Sequence, residues 1–399
     1  MIIRARPKYL KKEFFEYSNV YKEILGYFFN TGRAALRFLL SNLKTFYKLK
    51  QPTILIQDFN CQVVLEAALR SEWQPLLIDI SDRGDFSISI ASIKSLEITP
   101  NAILLTHYQG IPNFNYREIA EFCKKNKIIL IDDIAQTYMS TIDNVVIGDL
   151  SNFSIESYSF DKPITSWKGG KINCINTEDK FKNFLKNQYD SIPQEEDKTA
   201  KQDIQYLKKI WSRTKSSDCT EVEMNYMRYR FFLERIPSIK TLNFLYEIKA
   251  LDLYLFLENR MSKLLNYGRD IDYTPQKLNN YKIDIIEKQK ASYKYDPKEV
   301  LALERLLKDS GIDILTYPPD ININWNRYSI LDPDGTIKKI IYNLNIQALN
   351  YNWPKPLSDL YKDNKKVIKL SNSFHNSQYA SENIVNIPVW SKFFQSLNE

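Results

Sequence analysis

Histidine is nearly absent from this chain of 399 residues, with His107 and His375 the only two. That excludes a three-histidine metal site and leaves little material for catalysis built on a histidine base, so no metal is expected. The HExxH, Walker A and GxGxxG patterns do not occur, which removes the ordinary signatures of a zinc hydrolase, a phosphate loop and a dinucleotide crevice. Cys61, Cys123, Cys174 and Cys219 are far apart with no CxxC pair, so reduced thiols fit better than a disulfide framework. No apolar run reaches membrane-spanning length, and the N-terminus MIIRARPKYLKKEFF has no apolar signal core. A cytoplasmic location without membrane association is the expectation. Glycine is also scarce, at ten residues against 26 tyrosines, so each glycine marks a place where a side chain is not tolerated.

What is present is ordinary for a folded protein. Hydrophobic residues make up 44% and charged residues 26% of the chain, far from the composition of disorder. A net charge of +7 is spread among many acids; it either steers a small anion or keeps the protein soluble. No pattern of a nucleic-acid-binding module accompanies it.

Behind Asn30-Thr31-Gly32-Arg33, the residues Leu36, Leu39, Leu40 and Leu43 recur at helical spacing, and Thr31 is the expected N-cap. Apolar runs at Thr53–Ile56, Leu76–Ile80, Ala102–Thr106 and Lys127–Ile131 alternate with helical patterns at Val63–Leu69 and Tyr116–Lys124. Such alternation predicts an α/β fold with a mostly parallel sheet covered on both faces. Ligands then bind outside the carboxyl ends of the strands, at Gln57-Asp58-Phe59, Thr106-His107-Tyr108 and Asp132-Asp133. The polar stretch 187–217 lacks a clear period and reads as an insertion or a mobile connection. A large domain over 1–240 is expected, followed by a smaller α+β domain over 241–399. The latter would hold a long helix at Asn243–Tyr267, another at Glu299–Leu307, and short strands or their flanks at Arg327–Leu331 and Ile337–Ile341.

Three positions carry candidate chemistry. Lys162, in SYSFDKPITSWKGGKINC, is either a surface lysine in a hairpin or an amine held between aromatics with a depressed pKa, fit for Schiff-base chemistry. Asp133, closing the run KIILI, is a carboxylate near burial that either pairs with a cation, such as a protonated pyridine nitrogen, or caps a helix at Ile134-Ala135-Gln136. Thr31-Gly32-Arg33-Ala34 offers backbone amides at a helix N-terminus, a general anion site.

Four blocks in order, Gly32-Arg33-Ala34-Ala35-Leu36, QDFNCQVVLEAALRSEWQPLLIDI, AILLTHYQGIPNFNYREIAEFCKKNKIILIDDIAQTY and GDLSNFSIESYSFDKPITSWKGGKI, resemble the DegT/DnrJ/StrS sugar aminotransferases over about residues 30 to 175. The resemblance implies the fold-type I architecture of enzymes that use pyridoxal 5'-phosphate, with 1–240 as the cofactor-binding domain. It implies that Lys162 holds the cofactor covalently and that Asp133 meets its pyridine nitrogen. Gln136 falls beside the ring, Ser157 at the phosphate, Gly32 with the Arg33 and Ala34 amides facing that phosphate, and Cys61 where many members stack an aromatic on the ring. A homodimer, a glutamate or glutamine donor and a nucleotide-linked keto sugar acceptor are implied, as in cell-surface polysaccharide or amino-sugar biosynthesis. MNYMRYR at 224–230 resembles the block by which a neighbouring subunit reaches the phosphate, but its spacing does not match. Two rivals remain: a sugar dehydratase of the same fold, in which histidine replaces the lysine, and a non-catalytic sensor or scaffold.

Overall fold

The computed structural model describes residues 11–16, 26–81, 84–159, 161–215, 273–343 and, between 353 and 389, all but 354, 372 and 388. The expected helix at Asn243–Tyr267 and the 224–230 block lie outside these residues.

Chain order begins β1 (Tyr27–Phe29), α1 (Gly32–Phe46), β2 (Thr53–Gln57), α2 (Gln62–Arg70) and β3 (Gln74–Ile78). It continues through α3 (Ile90–Lys94), β4 (Ala102–Thr106), α4 (Tyr116–Asn126) and β5 (Ile129–Asp133). Then come β6 (Thr141–Ile142), β7 (Val145–Val146), β8 (Phe153–Ser157), β9 (Gly170–Cys174), α5 (Asp179–Ser191) and α6 (Asp197–Lys215). The described C-terminal part holds α7 (Asn280–Ala291), α8 (Lys298–Asp309), β10 (Ile321–Asn322), β11 (Tyr328–Leu331) and α9 (Thr336–Asn343). It closes with α10 (Leu357–Leu360), β12 (Ile368–Lys369), α11 (His375–Asn383) and β13 (Ile384–Ile387).

Among the described residues, eight strands form one sheet in the order β1-β9-β8-β5-β4-β2-β3-β12. Pairing is parallel from β12 through β8, whereas β9 runs antiparallel to β8 and β1. The mostly parallel, helix-covered sheet read from the sequence is therefore present. Alternation along the strands divides the core: Ile54, Ile56, Leu104, Ile131 and Phe153 pack against α1 and α2, while Leu55, Ile103, Leu105 and Leu130 pack against α4. Burial on both faces explains why these strands read as continuous apolar runs.

Several local expectations change. Lys127 takes a left-handed φ of 56° and closes α4, so β5 starts two residues later than the run Lys127–Ile131 suggests. The described part of the stretch 187–217, which shows no clear period in the sequence, is largely helical: it ends α5 and forms α6. Their periodicity is carried by few residues, Phe181, Leu185, Ala200, Ile204 and Leu207, all buried, inside an otherwise polar composition. Ile337–Ile341 is helical, because the Asp332 carboxylate accepts from the Ile337 and Lys338 amides and Asp334 accepts from that of Thr336, satisfying a helix start. Residues beyond 240 also return to the large sheet, where β12 pairs with β3.

That return is fastened at Asp58, at the end of β2. Its carboxylate accepts from the Ser358 amide at 2.6 Å and the Ser358 hydroxyl at 2.8 Å, and its carbonyl accepts from the Leu357 amide. Burial pushes the carboxyl up to about 7, with Asp79 and Asp359 adding to the rise and the Ser358 donors opposing it. An unfolded aspartate titrates near about 3.9. The fold therefore keeps a proton that the unfolded chain has released, and this group's contribution is fully present below about pH 4 and lost as pH rises through about 7. Asp58→Asn, which keeps both Ser358 contacts, should remove up to roughly 4 kcal/mol of pH dependence across that window. Urea unfolding of both proteins at acid and alkaline ends of the window checks this, and an unchanged pH dependence refutes it.

Candidate active site

The ends of β4, β5 and β8 bring the candidate residues together. Thr106 and Asp133 are register partners, and by alternation both face the α1 and α2 side, as does Ser157. The Asp133 carboxylate accepts from the Ala135 amide at 3.0 Å through Oδ1 and from the Thr106 hydroxyl at 3.5 Å through Oδ2. Its pKa is raised by burial, a rise opposed by the Ala135 amide, the charge of Lys162, His107 and Thr106. No helix follows: Ile134-Ala135-Gln136 is a turn, so the bond to Ala135 is an aspartate turn and the helix-cap alternative does not arise.

Asp132 points the other way. Its carboxylate receives the Tyr116 hydroxyl at 2.5 Å and lies 3.4 Å from His107 Nε2. His107 Nδ1 accepts from the Asn113 amide, which puts the ring proton on Nε2. Tyr116 in turn accepts from the amides of Gly148 and Leu150.

At α1 the expected cap is present: the Ala34 amide donates to Thr31 Oγ1 at 3.1 Å. The Ala34 amide is thus engaged by its own helix, and Gly32 and Arg33 supply the other amides of the first turn. A Cβ on Gly170 would sit 2.5 Å from the Cα and N of Gly32, and one on Gly32 would sit 3.1 Å from Ser157 Cβ. Glycine at both positions lets the α1 N-terminus rest directly on the paired Ser157 and Gly170.

Lys162 lies in the connection between β8 and β9. That connection joins antiparallel strands, as a hairpin does, yet the lysine side chain is only 13% exposed and its ammonium pairs with Asp161 at 3.2 Å. The loop is held from outside. Gln289 on α7 accepts from the Thr165 amide and donates to the Thr165 carbonyl at 2.7 Å. Trp167, at a left-handed φ of 76°, stacks on Tyr206, and Lys168 pairs with Asp203. Lys171 is occupied elsewhere, its pKa lowered by burial against the opposing charge of Glu156.

Gln136 is buried, and its Oε1 accepts from the Gln109 amide at 3.3 Å. Cys61 precedes α2; burial raises its thiol pKa, while the neighbouring charges of Lys162 and Arg33 oppose that rise and Asp133 adds to it. Cys61 thus lies within the electrostatic reach of Lys162, Asp133 and Arg33. Asn60, Asp161 and Gln289 were not singled out by the sequence reading. Asn60 and Asp161 adjoin flagged residues, so position at a strand end could have found them, but Gln289 lies 124 residues from Thr165 without any local signal.

Replacing Gly170 by alanine forces the sheet and α1 apart. Gly170→Ala should cost about 1–3 kcal/mol, the usual penalty for overpacking, measured as a lowered denaturation midpoint. Unchanged stability would mean that the contact is looser than described.

Residues 8–203 match the model of the DegT/DnrJ/EryC1/StrS aminotransferase family. A UDP-4-amino-4,6-dideoxy-N-acetyl-beta-L-altrosamine transaminase of Helicobacter pylori is 23% identical over 150 residues, 38% of this chain, and the match spans 39% of that relative's length. Among solved structures, a DegT DnrJ EryC1 StrS aminotransferase from Brucella abortus superposes with a TM-score of 0.59 at 15% identity, covering 93% of this chain and 84% of that one. An E. coli GDP-4-keto-6-deoxy-D-mannose-3-dehydratase with bound hydrated PLP gives 0.57 at 15% identity, covering 93% and 85%. At such identities the likeness shows the fold, that of fold-type I pyridoxal-phosphate enzymes.

Proposed function

On the premise that this chain belongs, through residues 8–203, to the DegT/DnrJ/EryC1/StrS aminotransferase family, we propose that it is a pyridoxal-phosphate-dependent aminotransferase. It transfers an amino group from glutamate or glutamine to a nucleotide-linked keto sugar, as a cytoplasmic homodimer. The observation that carries this reading is the convergence of Lys162, Asp133 and the Gly32–Ser157 cradle at the strand ends.

The residues fit the cofactor. Its phosphate needs donors, and the first turn of α1 with the Ser157 hydroxyl offers them where Gly32 and Gly170 permit close approach. A pyridinium nitrogen needs a buried anion, and Asp133 is one whose direct partners are neutral donors. Lys162 is a largely buried amine whose charge acts on Asp133.

When bound, pyridoxal phosphate supplies an electron sink for the bond being broken at the donor carbon. Lys162 Nζ would hold the cofactor and, when free, would serve as the base that takes up and returns the proton of the donor carbon. Asp133 keeps the ring nitrogen protonated. The amides of Gly32 and Arg33, with Ser157, would bind the phosphate, and Gln136 and Cys61 would line the place of the ring. The Ala34 amide supports the cap. The name of the Helicobacter pylori relative, a transaminase of a UDP-linked amino sugar, supports a nucleotide-linked acceptor. A dehydratase of this fold would carry histidine where this chain has Lys162.

Borohydride treatment of the yellow protein should fix the cofactor on the Lys162 peptide, and Lys162→Ala should lose both the label and turnover. Label on Lys168 or Lys171 would overturn the assignment, and colourless protein that takes up no cofactor would favour the scaffold. For the substrate, protein charged with glutamate and then offered keto acceptors should regain its colour with a nucleoside-diphosphate keto sugar and poorly with the free sugar, since remote binding energy orients the reacting carbon. Recovery with small ketones alone would refute the nucleotide-sugar acceptor.

A further inference from the structure

We infer that Asn60 and Thr106 are positioning residues that aim the Asp133 carboxylate at the cofactor's ring nitrogen, an inference that rests on the cofactor reading above. Thr106 has one hydroxyl proton to give. Asn60 Nδ2 donates to Thr106 Oγ1 at 3.0 Å, which occupies the hydroxyl's accepting side and turns its proton toward Asp133 Oδ2, 3.5 Å away. The Asn60 amide is itself oriented, because its Oδ1 accepts from the Cys61 backbone amide at 2.6 Å. Its Nδ2 must therefore face Thr106.

With Ala135 on the other oxygen, both ends of the carboxylate are held by neutral donors, which fix its plane without neutralising it. At 3.5 Å the threonine bond is long and acts more on orientation than on charge. The three residues are 1%, 2% and 9% exposed, so water does not replace a lost donor. The chain runs from the end of β2 through the end of β4 to the end of β5, and ties three strands to one oxygen atom.

The test compares cofactor affinity, read from the visible absorbance of purified protein titrated with pyridoxal phosphate, together with the pH profile of that absorbance. Thr106→Val keeps the branched shape and removes the proton; it should weaken affinity about three- to tenfold, the range for losing an ordinary hydrogen bond, and shift the pH profile. Thr106→Ser should restore both, and Asn60→Ala should move both in the same direction as Thr106→Val. In an Asp133→Asn background, Thr106→Val should add nothing, since the carboxylate it aims is gone. A Thr106→Val protein with wild-type affinity and pH profile overturns the inference, as does an equal loss in the Asp133→Asn background. Should Thr106→Val not fold, Asn60→Ala and Thr106→Ser carry the same comparison. A wild-type protein that gains no absorbance refutes the cofactor reading, and the inference with it; wild-type absorbance with unaffected variants refutes the inference alone.

Discussion

Two carboxylates in consecutive positions at the end of a buried strand must leave the backbone on opposite faces, and the arrangement of this site follows from how Asp132 and Asp133 are each satisfied. Asp132 is tied to Tyr116 and His107 on the α4 side, and Tyr116 also holds the Gly148 and Leu150 amides. A buried carboxylate without such partners would cost several kcal/mol. That anchoring leaves β5 no freedom to turn, so Asp133 is presented to the α1 and α2 face. A one-residue slip would exchange the two acids and put the anchored one in the site.

A second constraint, the close backbone contact of Gly32 with Gly170, seats the N-terminus of α1 against β9. The lysine loop that follows β8 is placed in part by groups that lie outside the segment matching the family, Gln289 and Lys282. Gln289 brackets Thr165 from α7, and the buried Lys282 joins Glu195 to Asp203, which also holds Lys168. Removing one member of such a buried set leaves uncompensated charge, at a cost of about 3–5 kcal/mol. The loop is therefore a fixed element whose position depends on helices far away in sequence.

This division explains what was legible. The strands around Asp133 and the Thr31 cap follow from local apolar runs and one side chain's reach, so the sheet and α1 could be read directly. Lys162 and Asp133 each had two local explanations, and only the order of four sequence blocks favoured one. For Lys162 the facts that set it apart from an exposed hairpin lysine, its burial and a loop pinned by Gln289, are tertiary. Asp133 does make the local bond expected of a cap, to Ala135, but with no helix to cap. The helices of 187–217 were missed because a handful of buried residues carry their period against a polar background. Ile337–Ile341 was misread because the acid that starts its helix, Asp332, lies five residues upstream of Ile337.

The C-terminal part is not a bystander to the site. Asp58 and Asp79, at the ends of β2 and β3, accept from Ser358, Asn376 and Ser377, and Trp353 packs 5.0 Å from Phe59 and 4.8 Å from Tyr108, ring centre to ring centre. Phe59 immediately precedes Asn60 and Cys61, and Tyr108 follows Thr106-His107. The loops carrying the positioning residues are thus held from below by the sheet and from above by the C-terminal segment. A strand end is the least restrained part of a parallel sheet, because its backbone groups run out of partners there. Here those ends gain partners from residues some 300 positions later, and the precision of the Asp133 carboxylate depends on both supports.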